Sequence, residues 1–304
     1  MSRRRIWAAL LLASLGWGTG GVASRAALLM GVPPVTLTAL RTALAALAVI
    51  AYLLATGKHR PTTGSHWWVG LILGTVSVAA PFLFFTLSVQ YVSAGFSGLL
   101  TALVPAATAL WAHALLAGEP LHLRKAAGLS VAFAGAGLLM LSGESGIPTG
   151  GRPVLGAGFA LVGVACASFG GVYAKRHTSR YSIMELLGPQ FTTGALALAV
   201  ASLVLEGFSA AEVPARAWLV IVYLALASSF LPFVLFYWVL QRVTATRASL
   251  VAYIVPLIAV TAGVLVLSEQ LTAGMVSGGA LILLGVVLVD RLEERAPLPA
   301  APTT

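Results

Sequence analysis

Few residues in this chain could do covalent chemistry, and those that could are badly placed for it. Gly95-Phe96-Ser97-Gly98 has the GxSG form in which a serine serves as nucleophile, and such a serine needs a histidine within hydrogen-bond reach. His113 lies sixteen residues further along the same apolar stretch, about 24 Å away on a helix rising 1.5 Å per residue. His59, His66, His122 and His177 fall in or beside polar links at the far ends of their segments. The single cysteine, Cys166, sits inside an apolar run, which leaves no disulfide and no paired thiolates for a metal. No HExxH helix or phosphate-binding glycine loop is present. The chain is therefore expected to be no enzyme and to need no cofactor and no metal, with an intramembrane serine protease as the alternative.

What remains are residues suited to holding a solute without transforming it. Arg41 interrupts the apolar run LTALRTALAAL seven residues past Pro34, ~10 Å into a helix. A guanidinium inside a membrane costs about 3 kcal/mol on insertion scales and faces a cavity or a partner. Two roles stay open: it attracts an anionic group such as a carboxylate, or it snorkels outward and ties down carbonyl groups at a neighbouring helix end. Trp17, Phe85, Phe169, Tyr173, Phe236, Tyr237 and Tyr253 are expected on helices lining one interior interface, where rings stack on an organic solute and a hydroxyl orients it. Glu119 and Glu269 each precede a short helix, whose positive end stabilises a carboxylate and offers it free N–H groups; gating is their other possible role. Pro81, Pro105, Pro232 and Pro256 are expected to interrupt helices as hinges, or else as static kinks.

These residues need a scaffold, and composition puts it in a bilayer. The chain is 59% hydrophobic and 9% charged, against about 25% charged residues in soluble domains. Its net charge of +9 lies in small clusters between apolar runs, without the basic face and interleaved aromatics of a nucleic-acid binder. The expected partners are thus lipid and a small-molecule substrate, not nucleic acid; monomer and homodimer both stay open. Crossing about 30 Å of hydrocarbon takes about 20 apolar residues. Ten segments qualify: 6–24, 34–56, 67–89, 94–117, 125–142, 154–174, 183–205, 217–240, 248–268 and 272–289. If the N-terminus is cytoplasmic, fourteen Lys and Arg fall inside and only Arg25, Arg152 and Arg216 outside. Both termini are then cytoplasmic, in the inner (plasma) membrane. The proline- and alanine-rich tail, 291–304, is expected to be disordered.

The segments also repeat. Ser77 to Pro105 recurs 151 residues later as Ser228 to Pro256, with Ser77/Ser228, Pro81/Pro232, Phe82/Phe233, Phe85/Phe236 and Pro105/Pro256 in register. After a one-residue gap, Glu119 falls against Glu269, Gly128 against Gly278 and Gly135 against Gly285. The expected domains are 1–145 and 150–290. Five spans being odd, the second copy enters from the opposite side, and inverted repeats let a midplane site open to each side in turn.

Trp17-Gly18, Arg41, Gln90-Tyr91-Val92-Ser93-Ala94 before Pro105, and Gly118-Glu119-Pro120-Leu121 together resemble the EamA family of the drug/metabolite transporter superfamily. The second half does so through LQRVTATRASLVAYIVP, Ser268-Glu269-Gln270-Leu271 and GALILLGVVLV, so the resemblance covers residues 6 to 290. It implies an all-α integral membrane protein with ten transmembrane helices as two inverted five-helix repeats, exporting small organic metabolites such as amino acids or amphipathic compounds. Thr19-Gly20-Gly21 and Phe169 depart from the family pattern. Both lie on the expected cavity walls, so no relative's ligand carries over. The reading from another class is a non-transporting membrane receptor or assembly protein.

Overall fold

Glycine and proline set where the apolar helices stop and start. In the computed structural model, α1 (Arg3–Leu29) ends with Val32 N donating to Ala27 O and Gly31 N to Leu28 O. Gly31 holds φ +92°, the left-handed closure that only glycine adopts without strain. Two prolines follow, and Pro34 opens α2 (Pro34–Ala55) at its first turn, where a missing N–H costs nothing. The structure describes residues 3–57, 64–116, 123–177, 183–207, 213–240 and 251–293; Glu119 and the tail beyond 293 lie outside them.

The remaining helices are α3 (Gly64–Ile72), α4 (Ala80–Tyr91), α5 (Ala94–Thr101), α6 (Val104–Leu115), α7 (Leu123–Leu141), α8 (Pro153–His177), α9 (Ile183–Glu206), α10 (Ala215–Ala225), α11 (Leu231–Leu240), α12 (Val251–Leu267) and α13 (Ala273–Glu293). Among the described residues seven helical stretches are long and apolar enough to cross a membrane, and three shorter apolar helices, Lys125–Leu141, Tyr253–Leu267 and Ala273–Val289, coincide with the other expected segments. The protein is a multi-pass, all-helical membrane protein. The end carrying residues 30–33, 142–152 and 268–272 is called the outer end, after the charge count.

The four repeat prolines act unequally. A proline clashes with the carbonyl four residues back and cannot donate there, which for Pro81 and Pro232 means Ser77 and Ser228. Both spans answer with a π-helical turn, Leu73–Ala79 joining α3 to α4 and Leu226–Phe230 joining α10 to α11. Widening the ladder by one residue moves that carbonyl aside. Pro105 follows a break at Ala102 and Leu103 that separates α5 from α6, whereas Pro256 lies inside an uninterrupted α12.

The two halves interleave. The most extensive packing is α7 on α13, α2 on α9, α4 on α8 and α1 on α12, each joining a helix of the first half to one of the second. Glycines set the α7–α13 distance: a Cβ on Gly128 would meet Gly285 O and one on Gly135 would meet Gly278 O. Since Gly128 matches Gly278 and Gly135 matches Gly285, swapping the repeats turns each contact into the other, as across a two-fold interface. Along the fourth expected span, α5 packs on α12 and α6 on α8, so the break at 102–103 parts this span's inner half from α12.

Gly278→Leu, which forces a side chain against Gly135 O, is expected to cost about 1–3 kcal/mol. Gly137→Leu, where a Cβ meets nothing within 4 Å, should stay within about 0.5 kcal/mol of the parent. Unfolding of both variants in detergent micelles checks the pair.

Candidate functional site

The π turn in the second half creates the acceptor around which the interior is arranged. Ser229 Oγ donates to Leu224 O at 2.8 Å, five residues back instead of four, which is the π register. Its lone pairs receive Arg41 Nη2 at 2.9 Å and Nε at 3.2 Å. The guanidinium carbon stands 4.1 Å from the centre of the Phe82 ring, a cation–π contact that adds roughly 1–2 kcal/mol when desolvated. Arg41 is only 5% exposed, so it does not snorkel. Among the described residues no carboxylate lies within ion-pair distance of it. A hydroxyl dipole and a ring face are what this cation has.

Rings continue the site from Phe82 through Phe233. Phe233 lies edge-on to Phe82 at 6.2 Å, Trp17 at 5.7 Å, Phe191 at 5.1 Å and Tyr237 at 5.9 Å, and Trp17 meets Phe236 at 5.3 Å. Phe191 is fully buried, whereas Trp17, Phe82, Phe233, Phe236 and Tyr237 are only partly so. At the far side the Tyr237 hydroxyl lies 3.3 Å from Gln190 Nε2 and 3.4 Å from Oε1. Gln190 is the repeat equivalent of Arg41. The arrangement is an aromatic wall with a cation at one edge and a neutral amide–phenol pair at the other.

Of the residues expected from sequence, Trp17, Arg41, Phe236 and Tyr237 are thus brought together. Phe169 and Tyr173 stack separately at 5.9 Å, with Trp111 edge-on to Phe169 at 5.3 Å and His177 at 4.4 Å from Tyr173. Phe85 lies against Gly163, and the Tyr253 hydroxyl reaches Val286 O at 3.5 Å. Sequence reasoning passed over Ser229, Phe82, Phe191 and Phe233. The recurrence of Pro-Phe in both repeats was the signal that could have found the last of these and Phe82.

Glu269 does not cap the helix that follows it, as the sequence suggested; it reaches across to the start of α5. Its Oε1 accepts Ala94 N at 2.7 Å and its Oε2 accepts Gly95 N at 3.1 Å, while Arg25 Nε stands 3.4 Å from Oε1. Arg25 Nη1 also donates to Val89 O and Val92 O at 2.6 and 3.2 Å. This knot joins α1, the α4–α5 turn and the α12–α13 link at the outer end. Ser268 makes the turn possible by adopting φ +53°, a left-handed conformation that costs a non-glycine residue roughly 1–2 kcal/mol. Burial pushes the Glu269 carboxyl above its ordinary range, and the two N–H groups and Arg25 pull it part of the way back. Glu206 caps α2 through Val35 N and Thr36 N, and Glu144 caps α13 through Gly274 N.

The helices of the two halves interleave around a buried aromatic and cationic centre. The chain belongs to the EamA-like transporter family, whose pattern matches residues 5–141 and again 154–290. It is 25% identical over 284 residues to the uncharacterized transporter YvbV of Bacillus subtilis, covering 93% of this chain and 91% of that one. It is 29% identical over 293 residues to a protein of Streptantibioticus cattleyicolor named a probable terminal-alkyne amino-acid exporter, covering 95% and 94%. A solved crystal structure at 22% identity shares the fold with a TM-score of 0.67, over 97% of this chain and 100% of that chain.

Ser229→Ala removes the hydroxyl that accepts from Arg41 and leaves a buried guanidinium short of an acceptor. The expected loss is about 1–3 kcal/mol of stability, read from denaturant unfolding in micelles. The control Thr261→Ala removes only a back-bond to Leu257 O on an exposed face and should change little.

Proposed function

We propose that the protein exports small amphipathic organic solutes bearing a carboxylate, amino acids among them, by alternating access. The observation that carries this reading is Arg41: a buried cation with no acidic partner among the described residues, set at the edge of a cluster of half-buried rings. A carboxylate there completes the guanidinium's hydrogen bonds, and an apolar side chain lies along Trp17, Phe233 and Phe236. Gln190 and Tyr237 are placed to hold a neutral polar group. The name of the S. cattleyicolor relative supports both the solute class and the direction.

The architecture in this reading is ten transmembrane helices as two inverted five-helix repeats, 1–145 and 150–290, in the plasma membrane with both termini cytoplasmic. The α7–α13 glycine contacts, which exchange under the repeat, support inversion. The Glu269 knot closes the outer end while the 102–103 break parts α6 from α12, the features of an inward-facing state. Pro81 and Pro232, through their π turns, and Pro105, through the break, serve as hinges; Pro256 is the hinge that stays straight here. Glu119 is the inner counterpart of Glu269 by repeat. Exchanging repeat equivalents, Trp17-Gly18 with Phe169-Gly170 and Phe236 with Phe85, also turns the Trp17–Phe236 contact into Phe169–Phe85, so Phe85 and Phe169 line the cavity when the outer end opens; Tyr173, stacked on Phe169, joins them, and Tyr253 is a further proposed lining residue on α12.

Solute flux in proteoliposomes, screened across amino acids and amphipathic cations with and without a pH gradient, tests the proposal. Arg41→Gln should slow a carboxylate solute roughly tenfold or more, the kinetic equivalent of losing a charge-assisted hydrogen bond worth about 1.5–3 kcal/mol, and Phe236→Ala should slow it too, with membrane insertion intact. No flux of any solute would favour a receptor or assembly role; cation flux indifferent to Arg41→Gln would remove the carboxylate.

The state assignment has its own check. With Cys166 replaced by serine, cysteines at positions 85 and 169 should be cross-linked by a short bifunctional thiol reagent faster when Glu269→Gln loosens the outer knot. An unchanged or slower rate would count against the exchange.

A further inference from the structure

Away from the centre, a groove of about 630 Å³ runs down the lipid-facing side between α4 and the outer half of α8. Phe84 and Phe159 line its wall and belong to a ladder of rings in which Phe84 and Tyr91 from α4 each stack on Phe159, at 6.2 and 5.9 Å and within 23° and 21° of parallel. Its floor exists because residue 158 is glycine: a Cβ there meets nothing within 4 Å. At its outer end stands Arg152, exposed and without an ion-pair partner among the described residues. Its position is fixed by its own backbone N–H, which donates to Tyr91 O at 2.9 Å. Val154 and Leu155 of the first turn of α8 also line the groove, so the positive end of a long helix faces the same point. The groove is carbon along its length and cationic at its interfacial end.

We infer that this groove is a binding site for one anionic phospholipid, its acyl chain lying between the Phe84–Phe159–Tyr91 ladder and Gly158 and its phosphate on Arg152. Charge and polarity along the groove match such a molecule from end to end: the Arg152 guanidinium pairs with a phosphate through charge-assisted hydrogen bonds, and the apolar trough takes a chain. Because α4 belongs to the first half and α8 to the second, an occupied groove braces the two halves against each other at the outer end.

The experiment uses the full-length protein purified in detergent, delipidated and titrated with phosphatidylglycerol or phosphatidylcholine, with bound lipid counted by native mass spectrometry. The parent should retain one phosphatidylglycerol more tightly than phosphatidylcholine. Arg152→Gln should weaken phosphatidylglycerol about fivefold, the factor for one basic contact near a membrane surface, and remove the preference. Gly158→Leu, which fills the floor and has room to do so, should abolish the tightly held lipid while leaving the protein monodisperse. Equal retention by all three proteins would overturn the site. Loss in Gly158→Leu with no effect of Arg152→Gln would overturn the phosphate contact. A dimer in the parent that dissociates in Gly158→Leu, with no difference in lipid, would assign the groove to a second copy and overturn the proposal as well.

Discussion

Two prolines that cannot donate a backbone hydrogen bond set the geometry of the interior. Each displaces the carbonyl four residues behind it, and a π turn absorbs the displacement in both halves of the chain. In the second half the widened ladder turns Ser229 to face α2, where it receives two donors from Arg41. In the first half the equivalent residue is Val78, which is fully buried and has no hydroxyl to offer. One backbone device thus yields a polar clasp on one side and plain packing on the other. The aromatic cluster follows from the same device, since Phe82 and Phe233 are the residues next to the two prolines and become the ring under Arg41 and the hub of the wall.

A second constraint is the scarcity of carboxylates. The whole chain has 9 acidic residues, and Glu144, Glu206 and Glu269 all accept backbone N–H groups at helix starts on the outer end. A helix start in a membrane bundle leaves up to four N–H groups unpaired, with little water to take them. Placing the acids there satisfies donors that would otherwise oppose burial, and leaves none of those three for Arg41. The stability of the outer end and the absence of those three carboxylates from Arg41 thus share one cause.

Much of this was legible in the sequence. Hydropathy and the 151-residue recurrence suffice for an all-helical membrane protein of two related halves, because apolar length and internal repetition are local properties of the chain. The grouping of Trp17, Arg41, Phe236 and Tyr237 was also within reach, as bulky or charged residues on facing spans. The π turns were not, since proline in a span is equally compatible with a kink, and only the neighbouring helices decide whether the ladder widens or bends. Glu269 shows the same limit. Its sequence position beside a coming helix suggested a local cap, but the left-handed turn at Ser268 sends the carboxylate back to α5, a partner 175 residues away. Phe85 and Tyr253 were read as equals of Phe236, yet they lie against Gly163 and toward Val286, so the two repeats are packed differently.

That difference reaches the chemistry itself. Arg41 and Gln190 occupy equivalent places on α2 and α9, two helices that pack on each other, so a strictly symmetric protein would present two identical polar groups at its centre. Instead one edge carries a full charge and the other an amide bonded to a phenol. Under the proposed transport role, a solute with one anionic end would take a defined orientation between them. In that proposal the near symmetry of the repeats lets two conformations lie close in energy, while the asymmetric pair distinguishes the ends of the solute. Replacing Gln190 by a second arginine would repair the symmetry but leave another buried cation uncompensated, at roughly 3 kcal/mol, in a bundle whose outer-end acids are already engaged at helix starts. One charge at one edge and one neutral amide at the other is therefore the arrangement that the energetics of the bilayer favour.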